Sequence, residues 1–329
     1  MTGGVTRRRL LQGASGVSAL ALFGTSARTE TLPARPFHLF VGGGPGSVPD
    51  LVARVIGDKL SAVAGQPVVV ENRPGAGGII AMQALTSAGA DGAALAIASM
   101  SQLVFNSYLF SKLPYDPQRD VAPVAPLVVG ALAVAAHPSV PAATFAEFVT
   151  YAKSRPGGVA VGTAGNGSPP DVVTRLLVRT AGLDVTFVPF RTGPEGLTGV
   201  MRGDVQLFVD APPLIAPQVK AGAVKALAVT GSVREPDLPD VPTVAEAGFP
   251  GAEAEAWLGL VARAGTPDGI LAELNRMVSG IMATAEVREQ FARLSFRPLA
   301  GSREAFRAMI DDGHRRWGPV IREAGLRLD

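Results

Sequence analysis

Short apolar segments alternate with longer amphipathic segments along most of the chain. Residues 37–41 form an apolar run typical of a buried strand, and residues 50–64 repeat apolar side chains at helical spacing. The same order returns with a strand at 67–70, a helix at 79–87 and a strand at 93–98. This alternation predicts a mainly parallel sheet with helices on both faces.

The second half of the chain continues the pattern. Further strands are predicted at 127–136, 159–161, 185–188, 205–209 and 224–229, and helices at 144–154 and 171–181. The remainder, from residue 268 onward, is mostly helical, with helices at 270–282, 285–294 and 302–323. A chain of 329 residues is long enough for two domains with cores of their own.

Two glycine-rich turns, at 42–47 and 162–168, share one design. Each follows a predicted strand and opens a helix, and ligands bind at such carboxyl ends of strands in open α/β sheets. A helix start offers free backbone N–H groups and the positive end of the helix dipole, which favour an anion. The pair predicts one anion-binding loop in each of two lobes. For either turn alone, a plain turn that needs glycine for steric reasons is the alternative.

The first 27 residues have the pattern of an export signal. Arg7, Arg8 and Arg9 precede a Gly- and Ala-rich apolar stretch, and small residues lead to a cleavage position after Ala27. The stretch is shorter than the ~20 residues that cross a bilayer. Arginines before Leu10 favour the twin-arginine route, with an ordinary Sec signal as the alternative. The mature chain is therefore expected in the periplasm of a Gram-negative bacterium.

Charge and hydropathy argue against several classes of protein. Hydrophobic residues make up 47% of the chain and charged residues 18%, which is typical of a folded protein. Removal of the signal takes away three arginines and no acidic residue, so the balance changes from 30 − 28 = +2 to 27 − 28 = −1. No basic tract remains for nucleic acid. No later segment has 18 continuous apolar residues, so no membrane span is predicted after the signal.

Catalytic signatures are missing from the sequence. It has no cysteine, no phosphate-binding P-loop and no G-x-S-x-G turn. His38, His137 and His314 are scattered and fit no metal-ligand spacing. The sequence therefore predicts no catalytic residue, no metal and no cofactor, although carboxylate-based catalysis stays open as an alternative.

Ten segments stand out along the chain: residues 45–54, 65–78, 90–92, 113–117, 137–141, 165–168, 188–191, 226–230, 238–248 and 264–267. Taken in order, they resemble a known family, the Bug proteins, which are the periplasmic solute receptors of tripartite tricarboxylate transporters. The runs GQPVVVENRPGAGG and LPDVPTVAEAG are the most specific of them, and the resemblance covers nearly the whole mature chain.

The resemblance implies the α/β type II periplasmic-binding-protein fold. Two lobes, each with a mixed, mainly parallel sheet flanked by helices, would enclose a ligand cleft. Residues 28–128 and 231–329 would form lobe one, and 129–230 lobe two. The ligand would be a carboxylate, an acidic amino acid, an aromatic acid or an amide, passed on to the membrane subunits of a transporter. The receptor would be a monomer, and a ligand sensor for a signalling partner is the alternative.

Carried over residue by residue, the resemblance also implies ligand contacts. They would come from Gly44, Pro45, Gly46, Ser47, Ser99, Ser101, Thr163, Ala164, Gly165, Asn166, Gly167, Ser168, Arg191 and Asp210. For Asp210 the alternative is a helix N-cap, and for Arg191 it is a solvated arginine on the lobe surface.

The chain departs from the family pattern at both turns. Ser47 and Pro49 replace the usual residues of the first turn, and Pro169, Pro170 and Asp171 follow the second. Asp171 would add negative charge at its helix start and disfavour a carboxylate there, so a less anionic ligand becomes a second possibility. Ser47 followed by Asp50 also predicts a capping box.

Overall fold

The computed structural model describes residues 1–2, 32–155, 157–323 and 325–328. The predicted export signal lies outside the described residues, apart from Met1 and Thr2. In the described part of the chain, no helix is long and apolar enough to span a bilayer.

Sheet one has six strands in the order β11-β4-β10-β3-β1-β2. Its strands are β1 (Phe37–Val41), β2 (Val68–Asn72), β3 (Ala94–Ser99), β4 (Val121–Ala131), β10 (Glu255–Arg263) and β11 (Arg297–Pro298). Strand β1 pairs in parallel with β2 and β3, and β10 runs antiparallel between β3 and β4. The carboxyl ends of β1, β2 and β3 therefore lie at the same end of the sheet.

Sheet two has five strands in the order β7-β6-β8-β5-β9. They are β5 (Ala133–Ala136), β6 (Val159–Ala164), β7 (Val185–Phe190), β8 (Leu207–Asp210) and β9 (Lys225–Val229). Strand β6 pairs in parallel with β7 and β8, while β5 is antiparallel to β8 and β9. Two mixed sheets flanked by helices confirm the predicted α/β class.

Most of the helices in the described residues were predicted. They are α1 (Val48–Ala64), α2 (Ile79–Ser87), a π-helical turn (Ser101–Phe105) that continues into α3 (Asn106–Leu109), α4 (Phe145–Lys153), α5 (Pro169–Thr180), α6 (Gly193–Arg202), α7 (Pro212–Lys220), α8 (Asp268–Met282), α9 (Ala285–Ala292) and α10 (Arg303–Glu323). Helices α6 and α7 were not predicted. Proline near the start of both helices, and Pro217 inside α7, obscure their apolar pattern.

Helix α1 shows how apolar residues at helical spacing form one buried face. Val52, Ile56 and Leu60 recur at helical spacing and are 0% exposed under sheet one. Each fully buried aliphatic side chain stabilises the fold by about 1.5–3 kcal/mol. The helix ends where Gly65 adopts φ 69°, a left-handed conformation that suits glycine.

The predicted single strand at 127–136 is wrong. Strand β4 ends at Ala131 in sheet one, and β5 begins at Ala133 in sheet two, so Leu132 carries the chain across. The break occurs because Leu132 exchanges both of its backbone hydrogen bonds with Thr230 instead of a strand neighbour. The sequence shows only continuous apolar residues there, which cannot reveal a change of sheet.

The lobe boundaries at 128/129 and 230/231 stay a proposal. Beyond residue 230, Thr243 still forms a parallel bridge with Val229 of sheet two. Phe249 lies edge-on to Phe145 of α4, with ring centroids 5.0 Å apart. These contacts favour Ala254, just before β10, as the point where the chain returns to sheet one.

Candidate functional site

Predicted contact residues follow the carboxyl ends of strands in both sheets. We call residues 44–47, between β1 and α1, loop one, and residues 165–168, between β6 and α5, loop two. Ser99 ends β3 and Asp210 ends β8, so the two sheets contribute similar positions.

Loop one is held by a buried carboxylate. Ser47 N–H donates to Gly44 O at 3.1 Å, and the turn places Gly46 at φ 78°. The Asp50 carboxylate, 1% exposed, accepts from Gly46 N–H at 2.8 Å and from Arg54 Nε at 3.0 Å. Asn72 Nδ2 donates to its other oxygen at 2.9 Å. Burial would raise the pKa of Asp50, but these hydrogen bonds outweigh burial and lower it.

Loop two repeats this arrangement. Ser168 N–H donates to Gly165 O at 2.7 Å, and Gly167 has φ 74°. The Asp171 carboxylate, 3% exposed, accepts from Gly167 N–H at 2.9 Å and from Arg175 Nε at 2.8 Å. The negative charge expected at this helix start is present, and Arg175 pairs with it.

The two loops thus share backbone geometry and partners, one set in each sheet. Ser47 and Ser168 are the helix N-caps, with φ/ψ of −70/158° and −72/161°. Because an aspartate four residues after each glycine accepts its N–H, the N–H groups of Gly46 and Gly167 are occupied inside the protein. The aspartate therefore supports the turn of each loop from inside the protein.

The serine hydroxyls differ between the loops. Ser168 Oγ accepts from Asp171 N–H at 3.3 Å and donates to Ala164 O at 2.7 Å. The predicted capping box at Ser47 is wrong, because Ser47 Oγ makes no capping bond and Asp50 accepts from Gly46 N–H rather than from Ser47 N–H. The buried Ser47 Oγ and Thr163 Oγ1 lack a hydrogen-bond partner in the described part of the chain. Buried hydroxyls without partners are unfavourable, so both are candidate donors to a bound molecule.

Ser99 and Ser101 belong to a buried network that joins the sheets. Ser99 Oγ donates to Gln102 Oε1 at 2.6 Å, and Ser101 N–H donates to Ser99 Oγ at 3.1 Å. Ser101 Oγ then donates to Gly167 O of loop two at 2.8 Å. The structure therefore brings Ser101 into contact with loop two, while Ser99 is connected to that loop through Ser101.

Gln102 is the member of this network that the sequence analysis missed. Its Nε2 donates to Gly77 O at 3.2 Å, and a Cβ on Gly42 would lie 3.0 Å from the same nitrogen. Gln102 thus connects the residues before loop one, the turn at 75–78 and the end of β3. Its position three residues after Ser99 was the available signal, but a glutamine in an apolar run carries no pattern of its own.

Asp210 ends β8 and is partly buried. Its Oδ1 accepts from Ala211 N–H at 2.7 Å, and a Cβ on Gly193 would lie 2.5 Å from Oδ2. Burial raises the pKa of Asp210 to about 6, against the opposing hydrogen bond from Ala211. The N-cap alternative is wrong, because Ala211 is the N-cap of α7.

Arg191 is exposed, as are Pro45 and Asn166. The described hydrogen bond of Arg191 is made by its backbone N–H, which donates to Glu195 Oε2 at 3.1 Å. This favours the surface alternative for Arg191. The remaining predicted residue, Ala164, is 4% exposed at the end of β6.

Two cavities in the described part of the chain lie away from the loops, and its side chains form no group that would hold a metal ion. No group of three or more His, Cys, Asp or Glu side chains in the described ranges is placed to hold a metal ion. A cavity of about 600 Å³ is lined by residues including Tyr108, Asp116 and His314. A second, of about 270 Å³, lies between α10 and Trp257. Neither is lined by loop one or loop two.

Comparison with known sequences gives a consistent set of relatives. Residues 52–326 match the model of the tripartite tricarboxylate transporter family receptor. Protein BugT of Bordetella pertussis is 32% identical over 300 residues, which cover 91% of this chain and 92% of BugT.

Solved structures agree with the sequence comparison. An R. palustris protein with adipate has a TM-score of 0.83 and 30% identity, covering 91% of this chain and all of that one. MatC from Rhodopseudomonas palustris, with bound malate, has a TM-score of 0.78 and 32% identity, covering 88% of this chain and 99% of MatC. The periplasmic binding protein BugD has a TM-score of 0.79 and 26% identity, covering 90% of this chain and all of BugD.

Proposed function

Because the chain belongs to the tripartite tricarboxylate transporter receptor family, we propose that it captures a small organic carboxylate, or a related metabolite, between its two sheets. The family and its fold are those of solute-binding receptors rather than enzymes. Loops one and two and the ends of β3 and β8 would contact the solute.

The matched construction of the two loops is the observation that carries this proposal. Each sheet presents a turn fixed by an aspartate, a glycine N–H and an arginine. A solute between them would meet rigid backbone from both sides. Rigid loops lose little conformational freedom on binding, which favours affinity.

The charge balance of the loops supports capture by uncharged donors. Arg54 and Arg175 are each paired with an aspartate, so neither loop offers an unpaired cation. The hydroxyls of Ser47 and Thr163, which have no partner in the described residues, can hold a carboxylate without one. Adipate and malate, which occupy two related structures, are therefore the first probes to try.

We also propose the cellular setting. Residues 1–27 would direct export to the periplasm, by the twin-arginine route. The mature chain would act as a monomer, close on its solute, and release it to the membrane subunits of a tripartite tricarboxylate transporter. The receptor character of the family supports this setting.

Thermal unfolding of residues 28–329 with a solute panel tests the proposal. The panel contains malate, adipate, acidic amino acids, nicotinate-like acids and amides, and native mass spectrometry first verifies that the protein is ligand-free. A ligand at one hundred times its dissociation constant stabilises the fold by ~2.7 kcal/mol. We expect one chemical class to raise the melting temperature.

Two matched variants locate the effect. Gly46→Val and Gly222→Val both place a side chain at positive φ (78° and 71°) in open space. Gly222 lies at the far end of α7, so only Gly46→Val should abolish the ligand shift. No shift with any compound would contradict carboxylate capture, and product formation from a bound compound would favour an enzyme. Normal uptake in a deletion strain that has lost a transcriptional response would favour a sensor.

A further inference from the structure

Thr230 lies where the chain passes between the two sheets. It follows β9 directly and is 0% exposed. The two crossings of the chain are Leu132, between β4 and β5, and Ala254, just before β10. Thr230 contacts both of them.

Four hydrogen bonds join Thr230 to the crossings. Its hydroxyl accepts from Leu132 N–H at 2.8 Å and donates to Ala254 O at 2.6 Å. Its backbone N–H donates to Leu132 O at 2.8 Å, and its carbonyl accepts from Ala254 N–H at 2.8 Å. One residue thus satisfies a donor and an acceptor on each crossing.

The backbone groups of both crossings are buried. Leu132 is 3% exposed and Ala254 is 1% exposed, so water cannot replace a lost bond at either backbone. A buried donor without a partner keeps its full desolvation penalty. The hydroxyl of Thr230 is therefore required by both crossings at once.

We propose that Thr230 is a positioning residue that ties the two crossings into one hinge and sets the angle at which loops one and two face each other. A rotation of sheet two about one crossing must strain the bonds at the other, because both end on the same side chain. The two crossings then bend together. The proposal rests on the proposed function in one respect, since closure on a solute would use this hinge.

Three variants isolate the hydroxyl. Thr230→Val keeps the shape and removes the hydroxyl, and Thr230→Ser restores it. Thr266→Val is the matched control, since Thr266 is 6% exposed and donates to Arg263 O at 2.8 Å away from the crossings. All three are compared as ligand-free protein.

Residue-resolved amide exchange by NMR is the first readout. In Thr230→Val we expect the Leu132 amide to exchange about tenfold faster, the factor that one buried hydrogen bond corresponds to. Thr230→Ser should return the rate to the wild-type value, and Thr266→Val should leave it unchanged. Unchanged exchange in Thr230→Val, or the same acceleration in Thr266→Val, overturns the proposal.

A distance measurement is the second readout. The chain has no cysteine, so Asp58→Cys on α1 and Lys220→Cys on α7 can carry a pair of spin labels. We expect Thr230→Val to broaden the distance distribution between the labels and Thr230→Ser to restore it. An identical distribution in all variants contradicts a hinge role, whatever happens to the melting temperature.

The wild-type protein supplies a test that needs no variant. If Thr230→Val does not fold, the amides of Leu132 and Ala254 should still show equal protection in wild type, since one opening releases both. Unrelated protection overturns the proposal. A chain that binds none of the solute probes would count against the proposed function, while these ligand-free results would still decide on the hinge.

Discussion

In both loops an aspartate paired with an arginine holds the turn, but a different kind of side chain completes the support of each loop. Loop one is completed from within its own sheet, since Asn72 at the end of β2 donates to Asp50 Oδ1 at 2.9 Å and to Gly43 O at 3.0 Å. Loop two is completed from the other sheet, by Ser101 Oγ on Gly167 O. The difference suggests that loop one is a fixed reference, while loop two depends on how the sheets face each other.

Substitution of the aspartate that holds each loop should have the largest effect on stability. We expect Asp50→Ala to lower the free energy of unfolding by about 3 kcal/mol and Asp171→Ala by about 2 kcal/mol. Asp50 loses more because it has the additional donor Asn72. Half-exposure of Arg54 keeps the loss at the low end for a broken ion pair. Urea unfolding measures both, with Asp→Asn at each site as the isosteric control, and the reverse order would contradict the comparison.

The two glycines give the next effect. Gly46→Ala should cost about 1 kcal/mol, for positive φ alone, because a Cβ there meets nothing within 4 Å. Gly167→Ala should cost about 2–3 kcal/mol, because its Cβ would lie 2.7 Å from Leu328 Cδ1 and 3.1 Å from Leu109 Cδ1. Melting temperatures are compared with that of Gly222→Ala, another open position at positive φ. Equal losses in the two loops would show that Leu109 and Leu328 simply move aside.

Asp210 distinguishes sheet two from sheet one. The parallel strands of sheet one end in Val41, Asn72 and Ser99, which carry no carboxyl group. Burial raises the pKa of Asp210 from 3.8 to about 6, so the folded state binds more protons than the unfolded state in that range. The free energy of unfolding should therefore fall as pH rises from about 4 to about 6.

Asp210→Asn should remove that fall and stabilise the protein by about 2 kcal/mol at pH 7, after allowance for partial exposure. Wild type and variant should converge near pH 4. Urea unfolding from pH 4 to 8 measures the difference. A difference that does not change with pH would mean that Asp210 ionises normally.

Asn72→Ala and Ser101→Ala should produce the smallest effects, about 1 kcal/mol each, since each removes side-chain hydrogen bonds from a loop. Their consequences should differ in location. Asn72→Ala should accelerate amide exchange in loop one, and Ser101→Ala should accelerate it in loop two, which contacts sheet one through Gly167. The same exchange pattern in both variants would contradict the distinction between the loops.

Much of this architecture is readable from local sequence pattern. The α/β class and most helices follow from apolar periodicity, and both glycine turns follow from their place after strands. The π-helical turn after β3 and helices α6 and α7 do not, because prolines and continuous apolar residues hide their period.

The partners within the candidate site were beyond local pattern. That Asp171 pairs with Arg175 can be inferred from their helical spacing, although the sequence analysis missed it. Ser101 and Gly167 are 66 residues apart in the chain, and their contact depends on how the two sheets approach each other. Gln102 and Thr230 were missed for a similar reason, since some of their partners are distant in the chain: Gln102 meets Gly77, and Thr230 meets Leu132 and Ala254.

Amide chemical shifts of the 15N-labelled protein, followed while a stabilising probe is added, test the central claim most directly. If loops one and two hold one solute between the sheets, amides of both loops should shift together, with one common dissociation constant. Shifts confined to one loop, or to residues around the cavity at Tyr108 and His314, would contradict the account.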